Sequence, residues 1–134
     1  MARQILTPDA FFKIAERKKQ DVPYPEAGNG AVLPIWGQTP TERTRFEKQM
    51  QVDAETRNVP FDDIRVEFRE RLFQDCCRHD GGGHVFTREQ VKQLGECNAA
   101  LVERAFNVAM ELSGYSETDG ETLVKNSEPT TTNN

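Results

Sequence analysis

The 134-residue sequence predicts a small, mainly α domain of about four to five helices, with a short β-hairpin near its N-terminal third and a disordered C-terminal tail. Three observations lead there. Helix-start signals recur along the chain, at Thr7-Pro8, at Thr39-Pro40-Thr41-Glu42, at Thr87 with Gln90 three positions on, and at Asn98. Pro23, Pro25 and Pro34, with glycines on either side of Asn29, forbid a continuous helix between Asp21 and Gln38. Beyond Tyr115 the chain is polar and acidic, and Leu123 and Val124 are too few to anchor it. The expected organisation is an N-terminal helix within residues 1–20, a helical domain over 21–115 with a hairpin at about 21–36, and a flexible acidic tail over 116–134.

The first helix is expected from Thr7 to about Lys19, with Phe11, Ile14 and Ala15 as its apolar side and Lys18 and Lys19 at its C-terminus. Its stripe is short, so it should dock on the body or on another subunit rather than nucleate the fold. Val22 and Tyr24 before the glycine turn, and Val32, Leu33, Ile35 and Trp36 after it, suit a hairpin that its prolines confine to a sheet edge. Trp36 is open to two readings, a core plug or an exposed anchor for a partner.

The second helix starts at a capping box, Thr39 to Glu42, and runs to about Asp53 with Phe46, Met50 and Val52 among charged residues. A third is expected from about Pro60 to Arg78. On it Phe61, Ile64, Phe68 and Leu72 fall on one side, while Val66, Phe73 and Cys77 gather on nearly the opposite one. A helix apolar on two sides is either sandwiched or carries one stripe for another chain. With few other helices to cover both, the second stripe is assigned to a partner. After a glycine turn, a short helix begins at Arg88 and ends at Gly95 as a left-handed residue; Asn98 caps the last helix and Gly114 closes it. Leu101, Ala105, Val108 and Leu112 line that helix, and Val102, Phe106 and Ala109 widen the stripe.

A formal charge of −5 and a pI near 5.1 argue against a nucleic-acid partner, because phosphate binding wants a basic face. No apolar run approaches a membrane span and the first residues lack a signal-peptide core, so a soluble, intracellular protein with no membrane partner is expected. Cys76, Cys77, His79 and His84 raise a zinc site, but adjacent cysteines on a helix point about 100° apart and cannot bite one metal. An EF-hand register that puts Glu89 at the twelfth position puts Arg78 at the first and Gly82 at the fifth, where oxygen ligands are required. The glycines at 81–83 lack the lysine and hydroxyl of a phosphate loop, and Asp62 and Asp63 are explained by a helix N-terminus. The sequence supports neither an enzyme nor a cofactor or metal site. The candidate partner-binding residues are Val66, Phe73 and Cys77, with Trp36 and Phe46 beside them.

The order VLPIWGQTPTERTRFEKQ followed by RERLFQDCCRHDGGGHVFTREQVKQLGECNAALVERAFNVAMELSGYS resembles the tail assembly chaperones of long-tailed, siphovirus-type bacteriophages. The likeness covers about residues 21–116. It rests on the hairpin, the Thr39 to Arg43 helix start, the Phe86-Thr87 cap and the spaced leucine, phenylalanine and small residues before Gly114. The chain departs from the pattern in three glycines where acids are usual, a proline in the second strand, and Ser113 where asparagine is commoner. The resemblance implies a non-enzymatic, self-associating chaperone of the host cytoplasm, absent from the mature virion. It would bind the tape-measure protein until tail-tube subunits replace it. The rival expectations are a structural tail or head-joining component of the virion, and a metal-binding module at the Asp80 loop.

Overall fold

The computed structural model describes residues 3–115, and the tail expected over 116–134 lies outside them. The fold is mainly α with one two-stranded hairpin. In chain order it comprises α1 (Pro8–Ile14), β1 (Lys19–Pro23), β2 (Val32–Trp36), α2 (Pro40–Arg57), α3 (Phe61–Arg65), α4 (Phe68–Cys76), α5 (Val91–Leu94) and α6 (Ala99–Leu112).

The helix starts sit where the local chemistry puts them. Thr39 accepts the Glu42 N–H while the Glu42 carboxylate accepts the Thr39 N–H, a closed capping box with Pro40 at the first helical position. Thr87 and Gln90 form a second box, and Asn98 Oδ1 accepts from Ala100 and Leu101. Stops are less local. α2 runs past Asp53 to Arg57 and ends on Asn58, in the left-handed conformation that asparagine tolerates best after glycine. The helix expected over 60–78 is broken: Val66 and Glu67 interrupt it, and α3 and α4 are separate rods. α1 stops at Ile14, short of Lys19, because Lys19 is already paired with Trp36 in the hairpin. Thr87 opens a 3-10 turn, Arg88–Gln90, before the single turn of α5. Gly95 is right-handed rather than left-handed; a Cβ there would sit 2.8 Å from Glu70 Oε2, a flexible side-chain end that could move aside. Gly114 does take positive φ, +79°, as a helix-ending glycine should.

The hairpin pairs Lys19 with Trp36 and Val22 with Leu33, around a turn containing Gly28 and Gly30 at positive φ. Pro34 has no N–H to give, but its carbonyl accepts from Arg78 N at 3.1 Å on the outer edge of β2. Ile35 thereby bridges Cys77, and the chain after α4 folds back on itself with Val85 N donating to Cys77 O at 3.0 Å. The edge strand is thus covered by the segment following α4.

One core holds these pieces together. Ile64, Phe68 and Leu72 are buried in a single seam despite the break, joined by Phe46, Met50 and Ala54 of α2 and by Val22 and Ile35 of the hairpin. α4 packs on α6, and the buried centre of α6 is Val102, Ala105, Phe106 and Ala109. Leu101, Val108 and Leu112, expected at the centre of the stripe, stand only half-buried at its margin. At Gly37, α6 comes so close that a Cβ would lie 2.4 Å from the Leu112 carbonyl oxygen.

Polar side chains lock the outer layer. Tyr24 Oη donates to Leu101 O at 2.7 Å, and the Arg104 guanidinium lies over the Tyr24 ring while gripping Glu26 at 2.7 and 2.9 Å. Its two hydrogen bonds hold the Glu26 carboxyl down at about 2, below the ordinary 4.5. A depressed carboxyl stabilises the fold fully above its unfolded value. This contribution should therefore be present above about pH 4.5 and fade as pH falls toward 2. Because the pair is exposed, the effect should shrink with added salt. Arg104→Met should flatten that part of the stability profile, measured by thermal melts between pH 2 and 5.

Candidate interaction surface

Among the α-helices of the described residues, the N-terminal one is the least covered by the body. α1 contains no buried residue. Ile5 is 74% exposed, Phe12 68% and Ile14 66%, with Leu6 and Phe11 also more than half exposed. Thr7 caps the helix through the Ala10 N–H at 3.1 Å, so its start is built as the sequence predicts. Its attachment lies beyond its end: Arg17 donates to Gly37 O at 3.0 Å and pairs with Glu42, and Gly37 N donates to Lys18 O. A seven-residue helix is too short to be stable in water by itself, and this one has no buried residue to hold it on its own chain. The arm is therefore a display of apolar side chains at the end of a polar tether.

The residues first assigned to a partner are not gathered on such a surface. Phe73 is 3% exposed, its ring against Phe86 at 5.4 Å, and Cys77 is 0% exposed beneath Ile35. Phe46 is buried edge-to-face on Phe68. These three are core residues. The expectation that they face another chain fails because β2 and the 79–87 loop, not helices, cover the far side of α4. Val66 is half exposed, at the α3–α4 break. Trp36 falls between its two readings: it is half-buried, its Nε1 donates to Arg78 O at 3.2 Å, and Arg17 and Lys19 lie over its ring. Sequence reasoning named Phe11 and Ile14 as apolar but missed Ile5, Leu6 and Phe12 as surface. The available signal was five large apolar residues in ten positions, in a segment whose one stripe is too short to seat them all.

A second feature is a charged groove of about 810 Å³ between α2, α4 and the segment leading into α5. Its floor is a set of closed ion pairs. Arg71 donates to Asp53 at 2.7 Å and to Glu67 at 3.0 Å, and Arg78 reaches Glu42 at 2.9 Å and Asp75 at 3.4 Å. Burial works to raise the Asp53 carboxyl, but the hydrogen bonds from Arg71 and Gln49 outweigh it and the carboxyl is held low. His84 Nε2 lies 3.5 Å from Asp75 Oδ1, but Asp75 is also held by Gln38 and Arg78. The groove reads as a polar joint between helices. Small-molecule sites are mostly apolar with few polar groups, and this one is lined with charge.

Among the described residues, no group of three or more histidine, cysteine or acidic side chains is placed to hold a metal ion. The Asp80 carboxylate of the glycine loop is taken by Lys19 at 2.8 Å. Burial pushes the Cys76 and Cys77 thiols up to about 12, so neither carries thiolate at neutral pH. Cys97 is exposed. One thiol per native chain should therefore react with a disulfide reagent at neutral pH, the other two only after denaturation. Three rapidly reacting thiols in the native protein would contradict the burial of the pair.

No helix among the described residues is long and apolar enough to cross a membrane. Comparison with protein-family models, curated proteins and solved structures finds no match.

Proposed function

We propose that this protein is a non-enzymatic assembly chaperone of a long-tailed bacteriophage, which binds the tape-measure protein in the host cytoplasm and is released as tail-tube subunits take its place. The observation that carries this reading is the arm: Ile5, Leu6, Phe11, Phe12 and Ile14 displayed on a body whose own core is closed. A tape measure is a long helical chain whose apolar surface aggregates until a tube covers it. Several copies of a small acidic protein, each offering an apolar arm, would cover such helices while their charged outer faces keep the complex soluble. The resemblance over residues 21–116 supplies the client's identity, and the mainly α fold with its hairpin is compatible with it.

The test is co-expression with a tape-measure protein, reading the soluble fraction of the client. The full chain should raise it several-fold, and Phe12→Glu with Ile14→Glu should abolish the gain. A client equally insoluble with and without the chaperone would end the proposal. Mass spectrometry of purified virions should not find the chain; its presence in stoichiometric amount would favour a structural tail or head-joining role.

A further inference from the structure

We propose that the charged groove between α2, α4 and the segment leading into α5 is a docking site for this chain's own C-terminal segment, residues 116–134, which lies along it with Glu117, Asp119 and Glu121 against the cations of its rim. The imbalance of charge at the rim, the point where the chain leaves the body and the length of the groove select this occupant. None of the three depends on the chaperone reading.

Charge divides the groove into floor and rim. The floor is neutral: the carboxylates of Glu42, Asp53, Glu67 and Asp75 are matched by four guanidinium groups, three lining the groove and the fourth, that of Arg17, reaching Glu42 from outside. The rim is not. Arg45, Arg88 and Lys92 line it, are exposed and make no ion pair among the described residues, and the one unpaired acid beside them is Glu89. Three against one leaves an excess of two positive charges at the mouth of a groove in a chain whose formal charge is −5.

The matching anion is in the same chain. Residues 116–134 hold four acidic side chains and one lysine, and so supply −3 of the −5. Glu117, Asp119 and Glu121 alternate, a spacing that puts all three on one side of an extended segment, and Leu123 and Val124 follow them. The groove presents the counterpart, since Phe46 and Val91, its apolar lining residues, stand next to Arg45 and Lys92 in the sequence.

The body releases the chain beside the groove. Tyr115, the last described residue, is buried on Phe68, and its hydroxyl donates to Gln38 Oε1 at 3.4 Å; Gln38 Nε2 in turn donates to Asp75 of the groove at 2.7 Å. Along α2 the groove runs from Glu42 to Arg57, about 22 Å at 1.5 Å per residue, which roughly six or seven extended residues span. Residues 117–123 have that length. Tethering decides between this segment and a free acidic peptide. It holds the segment at an effective concentration on the order of millimolar, so a few exposed charge pairs, each too weak to retain a separate molecule, suffice to keep the groove closed.

Backbone NMR relaxation of the full chain tests this. At low salt, the amides of Leu123 and Val124 should show order parameters above about 0.6 that do not change with protein concentration, and should fall below that value in about 0.5 M salt. Arg45→Glu with Lys92→Glu should release the segment in the same way, while far-UV circular dichroism keeps the body intact, since both residues are exposed and unpaired. Glu117→Lys with Asp119→Lys and Glu121→Lys should release it too, and combining the two sets of changes in one chain should restore the ordering. Low order parameters in the wild type, ordering that groove reversal leaves unchanged, or a combined variant without restoration would overturn the inference. So would ordering that is lost on dilution, which would assign the segment to the groove of another molecule.

Discussion

Phe68→Ala is expected to remove about 3–5 kcal/mol of stability, a large part of the 5–15 kcal/mol that holds a domain of this size. Phe68 stands at the centre of the molecule. Its ring meets Phe46 of α2 at 6.1 Å, Phe106 of α6 at 5.8 Å and Tyr115 at 5.9 Å, each edge-to-face. Truncation empties the point where three segments converge, and loses three aromatic pairs worth roughly 0.5–1.5 kcal/mol each beyond area burial. The cavity cannot easily collapse, because α6 is already held against Gly37 without room for a methyl group. Urea denaturation followed by circular dichroism should give a much lower midpoint at nearly unchanged slope. A loss under about 1 kcal/mol would mean that α2, α4 and α6 do not share one core.

Phe73→Glu and Val66→Glu should separate sharply, although both residues lie on the same expected stripe. Phe73 is enclosed by its own chain, so a carboxylate there is buried without a cationic partner and should cost several kcal/mol, or unfold the domain outright. Val66 faces water, and its replacement should change stability by no more than about 0.5 kcal/mol. Paired denaturation curves measure the difference. Equal midpoints for the two variants would restore Phe73 to the surface and remove the Phe86 loop as its cover.

That contrast marks where local reading stops. Thr39 with Glu42, Thr87 with Gln90 and Asn98 were legible as caps because a cap is a contact between residues two or three positions apart. The hairpin was legible because its prolines and glycines act on their own dihedral angles. The seam of Ile64, Phe68 and Leu72 was legible from spacing alone, even though the helix carrying it is broken. The candidate surface was not. Periodicity reports that a face is apolar and says nothing of what covers it; Phe73 and Cys77 are covered by the Phe86 loop and by β2, elements remote from the helix pattern. In the arm the reverse holds, since a segment with the start signals of any packed helix has no buried residue.

From its own residues the sequence determined the mainly α class, the place of the hairpin, most helix starts and the acidic balance, because each follows from neighbours along the chain or from composition. Only the tertiary structure decided that α4 is sheathed on both sides, that Arg71 and Arg78 close their charges inside the groove, and that Ile5 to Ile14 stand uncovered. Those outcomes depend on contacts between residues tens of positions apart, and whether an apolar side chain is core or interface is settled only by what arrives to bury it.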